Sequence, residues 1–198
     1  MSGGKMEQLK TFYTSSRRKW REWLNGNFET ADEIWFVFPM KASGEKRLSY
    51  NDAVEEALCF GWIDSTVKNI SATHRAQRFT PRKKGSSYSR PNIERLILLE
   101  KQGKLHPKIR EGVLPVINTP YEFPEDIIKA IKADDAVFSN YEKFPEPYKR
   151  IRIAYIDAAR RRPAEFEKRL NSFISKTREN KRISGYGGID KYYTDDIL

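Results

Sequence analysis

Apolar positions recur along this chain with two different periods. In residues 15–25, Trp20, Trp23 and Leu24 fall at i, i+3 and i+4, which predicts a helix capped by Ser15 or Ser16 and stopped by Gly26. Residues 33–40 are β-branched and aromatic and predict a strand buried on both faces, ending at Pro39; a polar turn follows over 41–47. Ser49, with Asp52 three residues on, predicts a capped helix to Phe60 with Ala53, Val54, Ala57 and Leu58 as its apolar stripe and Gly61 as its end. Residues 62–70 and 74–82 then predict two paired strands. Ser89 opens a helix to Gln102, with Ile93, Leu96, Ile97 and Glu100 on one side and Gly103 at its end.

Beyond that point the period is helical throughout. Residues 115–124 hold Pro115, Pro120 and Pro124 without usable periodicity, which predicts a stiff boundary. Three helices are expected after it: one opened by Pro124 with Ile127, Ile128 and Ile131 inward, one carrying Tyr148, Ile151, Tyr155 and Ala158, and one begun at Pro163 with Phe166, Leu170, Phe173, Ile174 and Thr177 in register. The predicted fold class is α+β: a small mixed helix and sheet domain over 1–114, a Pro-rich linker over 115–123, an all-α three-helix bundle over 124–182, and a partly ordered tail over 183–198 containing Gly185-Tyr186-Gly187-Gly188.

Composition narrows the class further. Of the 198 residues, 13% are aromatic, enough to build a core, so the chain is not a disordered polyelectrolyte. No apolar run is long enough for a membrane span, and the first residues lack the apolar segment of a secretory signal. One cysteine forbids an internal disulfide, so a reducing cytoplasm is expected. The net charge of +10 is uneven: residues 1–66 carry nine Lys and Arg against ten Asp and Glu, a net of −1, whereas residues 67–123 carry twelve against four, a net of +8. No acid occurs between Asp64 and Glu94, a stretch containing Lys68, Arg75, Arg78, Arg82, Lys83, Lys84 and Arg90. Such a stretch attracts polyanions, anionic small molecules or an acidic partner, or is simply a solvated face.

Catalytic signatures are scarce. The two histidines, His74 and His106, and the lone Cys59 have no metal-ligand spacing, so no metal and no cofactor are expected. Cys59, in the last turn of its helix, reads as a small buried residue. His106 reads as a surface residue, and no nucleophile is identifiable beside His74. The candidate ligand site is instead the constellation Trp62, Asp64, Lys68, Arg75, Arg78, Thr80, Arg82, Ser89 and Asn92. Strand alternation puts Arg78, Thr80 and Arg82 on one face, where two guanidiniums could bracket a carboxylate or phosphate. The competing expectation is that Asp64 pairs with Arg78 or Arg82 and that Ser89 only caps its helix.

The run Ala57-Leu58-Cys59-Phe60-Gly61-Trp62-Ile63-Asp64, the string Gln77-Arg78-Phe79-Thr80-Pro81-Arg82, and Ser89 with Asn92 resemble the YdeI/OmpD-associated, or bacteriocin-protection, family. The helical segment from Pro124 to about Arg182 resembles that family's C-terminal domain. Ser65 stands where the family usually has Gly, and Tyr88 where it tends to have Trp. The resemblance implies an intracellular bacterial protein linked to envelope stress and to tolerance of antimicrobial peptides or bacteriocins, with no catalytic residues to carry over. A protein this basic repels cationic peptides at long range, so an anionic small molecule or acidic protein partner is the expected ligand. Two alternatives stand beside that binding module. One is a nucleic-acid binder using the basic residues near Trp62, Phe79 and Tyr88; the other is an enzyme acting on a small anionic substrate in a pocket around Trp62 and Arg78.

Overall fold

A computed structural model describes residues 9–185. The elements run β1 (Thr11–Phe12), α1 (Arg17–Asn27), β2 (Ile34–Pro39), a 3-10 turn (Lys41–Ser43), α2 (Tyr50–Cys59), β3 (Trp62–Asn69), β4 (His74–Pro81), α3 (Arg90–Lys101), α4 (Pro107–Asn118), α5 (Glu125–Lys132), α6 (Asp135–Glu142), α7 (Glu146–Asp157) and α8 (Pro163–Arg178). Mixed α+β is therefore the observed class. The chain forms two compact units, one of residues up to Ser87 with Leu99–Val113, the other of Tyr88–Leu98 with Leu114 onward.

The first unit is built on a four-stranded sheet ordered β1-β2-β4-β3, in which β1 runs parallel to β2 and the other pairs are antiparallel. Strand alternation sends Phe36 and Phe79 toward α1, where Trp20 meets them edge-on at 4.9 and 5.5 Å between ring centroids. Ser16 caps α1, accepting from the Lys19 N–H, and Ser49 caps α2, accepting from the Asp52 N–H. Contrary to expectation, Gly26 does not stop α1; the helix continues to Asn27, because the Phe28 N–H still reaches the Leu24 carbonyl at 2.8 Å. Gly61 does end α2 with a φ of +71°, and a Cβ there would lie 2.9 Å from Ile109 Cδ1, so both backbone and space demand glycine.

Two expectations about the helical half need correction. Residues 115–118 are not linker but the last turn of α4, with Pro115 inside the helix. The proline deprives the Glu111 carbonyl of its partner where that residue is exposed and water can substitute, so the helix survives. The expected three helices after Pro124 are four: α6 lies where only a connection was read. Its Asp134 cap accepts from the Val137 N–H, and Val137, Phe138 and Tyr141 supply a two-turn apolar face too short to stand out by periodicity. Ile127, Ile131, Val137, Tyr141, Tyr148, Ile151 and Phe173 form the core of this unit. Ala158, expected in the stripe of its helix, is exposed. Most of the Gly185–Gly188 tail lies outside the described residues.

Candidate functional site

The nine residues expected to form a site are dispersed by the fold. Trp62 is wholly buried, packs edge-on to Trp23 at 5.8 Å, and donates its indole N–H to the Phe28 carbonyl; it is a core residue. Asp64 pairs with neither arginine, accepting instead from the Tyr50 hydroxyl at 2.7 Å and the Gln77 amide at 3.3 Å. Arg78 is neutralised by Glu33, its Nε donating at 2.6 Å, and Arg82 turns its Nη2 to the carbonyls of Ser86 and Ser87. Ser89 and Asn92 belong to the second unit; the Ser89 carbonyl accepts the N–H groups of Asn92 and Ile93, and the Asn92 Oδ1 accepts from Arg95.

Register explains where the basic side chains went. On the sheet face away from α1, Trp35 stands opposite Arg78, and Lys68, paired with Ala76, lies on that same face with Thr80, which is opposite Ile63. The Lys68 ammonium sits 4.7 Å from the Trp35 ring, while the Trp35 indole N–H and Arg78 both donate to Glu33. These cations, with their aliphatic stems, cover an indole that would otherwise meet water. The Arg78 hydrogen bond holds the Glu33 carboxyl below its usual range.

Arg75 takes the opposite course. Alternation places it with Gln77 on the α1-facing side, opposite Phe38. There it borders a cleft of about 430 Å³ lined by Phe38, Pro39, Met40, Arg47, Leu48, Ser49, Tyr50, Val67, Arg75 and Gln77. Arg47 and Arg75 are exposed, and neither side chain has a hydrogen-bond, ion-pair or ring partner among the described residues. Among the described residues no carboxylate lines this cleft. The loop just before Arg47 is tied down twice: the Tyr13 hydroxyl donates to the Lys46 carbonyl at 2.6 Å, and His74 Nε2 lies 2.9 Å from Glu45 Oε1. Sequence reasoning missed Arg47, which was read only as the end of a polar turn; nothing local marks it, since its role depends on β4 being folded beside it.

Other titratable groups serve the fold. Arg17 contacts Asp52, Glu55 and Glu56, and Arg21 contacts Glu56 and the Lys104 carbonyl, tying α1 to α2. Burial lowers the Arg17 pKa, but the hydrogen bond it donates to Glu56 and the charges of Glu56, Glu55 and Asp52 outweigh it and hold it above the ordinary value. Burial pushes the Cys59 thiol up to about 11, helped by the charge of Glu56. His106, expected at the surface, is half-buried; it lies 4.7 Å from the Phe28 ring and accepts through Nδ1 from the Lys108 N–H at the start of α4. Among the described residues no group of three His, Cys, Asp or Glu side chains is placed to hold a metal ion. Nor is any described helix long and apolar enough to cross a membrane.

Wholly buried Trp62 and Phe79 cannot stack on bases, which leaves half-buried Tyr88 as the one accessible ring of the three in the nucleic-acid arrangement. The pocket around Trp62 and Arg78 required by the enzymatic reading is likewise filled by core packing and the Glu33 pair.

Two family models match the chain. Residues 12–111 match a domain of unknown function, DUF8412, and residues 120–180 match a family described as bacteriocin-protection, YdeI or OmpD-associated. The Gly-Trp-Ile-Asp and Arg-Phe-Thr-Pro-Arg strings lie within the first of these matches. No curated protein and no solved structure matches.

Proposed function

Given that the chain belongs to the DUF8412 family and carries a bacteriocin-protection, YdeI or OmpD-associated domain behind that part, we propose that it is a non-enzymatic binding protein of the bacterial cytoplasm, acting in tolerance of bacteriocins or envelope stress. Its N-terminal unit receives an anionic group at Arg47 and Arg75. One observation carries this reading: two guanidinium groups without side-chain partners among the described residues border a concave, partly apolar surface to which no described carboxylate contributes. Guanidinium forks match carboxylate and phosphate geometry, and a fork not already engaged need not break a pair to bind. The net charge of +10 favours the approach of anions and opposes that of cationic peptides.

Calorimetric titration with citrate at low salt tests the anion site. Binding to the wild type, weakened at least tenfold in the doubly substituted Arg47→Ala/Arg75→Ala protein with an unchanged circular dichroism spectrum, is expected. Equal binding by both proteins overturns the assignment. Tight binding of a cationic peptide under the same conditions overturns the choice of ligand sign. For the cellular role, a bacteriocin-sensitised deletion strain should be restored by the wild-type chain and not by the double variant.

A further inference from the structure

We propose that the cleft between β2, β3, β4 and the loop before α2 takes a small anionic amphiphile, an apolar chain or ring ending in a single carboxylate or phosphate group. This rests on the reading that Arg47 and Arg75 receive an anion, and adds what lies behind the headgroup.

The lining divides into two chemistries. Phe38, Pro39, Met40, Leu48 and Val67 are apolar; Arg47 and Arg75 are cationic and without partners among the described residues. Val67 is 52% and Tyr50 44% exposed, so two of the four large hydrophobic residues recorded as exposed on the described chain border this one cleft. Apolar surface gathered in one place beside unpaired charge is unfavourable to leave in water and is the mark of a recognition site rather than of random exposure. An inorganic anion would engage the two guanidiniums and leave that surface wet. A purely apolar ligand would leave the guanidiniums unused. Only a molecule with both parts satisfies both.

Size and rigidity point the same way. The open cleft of about 430 Å³ is comparable in volume to a small-molecule site. Gln77 is buried and its amide N–H is committed to Asp64 and the Ser65 carbonyl; the Tyr50 hydroxyl is committed to Asp64. These polar walls are therefore fixed and do not compete for the headgroup. The contacts of Tyr13 with the Lys46 carbonyl and of His74 with Glu45 tie down the backbone just before Arg47, while its guanidinium stays exposed.

The test compares butyrate, decanoate, decyl phosphate and decyltrimethylammonium below their micelle concentrations, and vesicles of anionic phospholipid, on the full chain. Decanoate and decyl phosphate should bind at least tenfold tighter than butyrate. That gain should be lost at least tenfold in Arg47→Ala/Arg75→Ala and reduced several-fold in Val67→Gln, whose exposed position tolerates a polar side chain. Decyltrimethylammonium should not bind measurably. If butyrate and decanoate bind equally well, the anion site stands and the amphiphile inference fails. If neither binds, the anion reading fails with it. If the cationic amphiphile binds as well as decanoate, or the double variant keeps decanoate, the chain is adsorbing elsewhere and the inference fails. Binding confined to vesicles, with none of the free amphiphiles, replaces a small molecule by a membrane surface and also overturns it.

Discussion

Arg47 and Arg75 in the N-terminal unit and Lys132 and Lys149 in the C-terminal unit each border a partly apolar concavity, yet their cations are placed differently. Neither arginine has a partner among the described residues. The groove lined by Phe123, Ile128, Phe138 and Tyr141 is bordered by Glu125, Glu142 and Glu146 as well as by lysines; Lys149 lies 2.9 Å from Glu146 and 5.1 Å from the Tyr141 ring, and Lys132 lies 5.3 Å from the Phe138 ring. The difference is the local supply of acid. The loop before α2 offers Glu45, which His74 already engages, whereas α5 to α7 place an acid within reach of each end of their groove. A basic residue becomes a recognition element only where folding has left it no internal carboxylate.

Both units also bury an acid between two arginines, and here they can be compared by experiment. Glu94, almost wholly buried, takes Arg90 and Arg150, whose side chains are only 10% and 18% exposed. Glu94→Ala strands two shielded guanidiniums and should cost about 3–5 kcal/mol in denaturant unfolding followed by circular dichroism; a loss below 1 kcal/mol would show that the triad is dispensable.

On the alkaline side the N-terminal unit should weaken first at Cys59. Its folded pKa near 11 lies above the ordinary 9.0, so the unfolded chain ionises first. Stability is unaffected below pH 9 and falls as the pH rises toward 11, by about 2–3 kcal/mol in all. Tryptophan fluorescence follows this, since Trp20, Trp23, Trp35 and Trp62 all belong to that unit. A Cys59→Ala protein with the same alkaline decline would refute the assignment.

Glu56 is the counterpart of Glu94, but Arg17 and Arg21 are 31% and 37% exposed and Arg17 keeps Asp52 and Glu55. Glu56→Ala should therefore cost less, about 1–2 kcal/mol by tryptophan fluorescence. A cost equal to that at Glu94 would erase the contrast between the two networks.

The smallest effects belong to the sheet. Arg78→Ala breaks a half-exposed pair with Glu33 and should cost at most about 1 kcal/mol. Arg75→Ala should change thermal stability within about 0.5 kcal/mol, as expected of a side chain that supports nothing in the fold. A large loss at Arg75 would mean that it is structural and that the cleft has no free cation.

Local patterning was enough for most elements. Ser49 with Asp52, the alternation through β3 and β4, and the i, i+3, i+4 spacing of Trp20, Trp23 and Leu24 each specify an element through contacts a few residues apart, and such contacts are written in the chain. The limits lie where a local signal is weak or misleading: Pro115 inside α4, and α6 with only two turns to display a period. The site was far less legible. That residues 67–123 are basic could be counted, and alternation separates Arg78 from Gln77 within β4, whereas Arg82 lies past the end of that strand. Whether a guanidinium stays free, however, depends on which carboxylate arrives from elsewhere in the chain: Glu33 reaches Arg78 from 45 residues away, and no acid among the described residues lines the cleft at Arg75. Charge was set by composition, but its availability was decided by tertiary packing, because pairing depends on distance in space and not on distance along the chain.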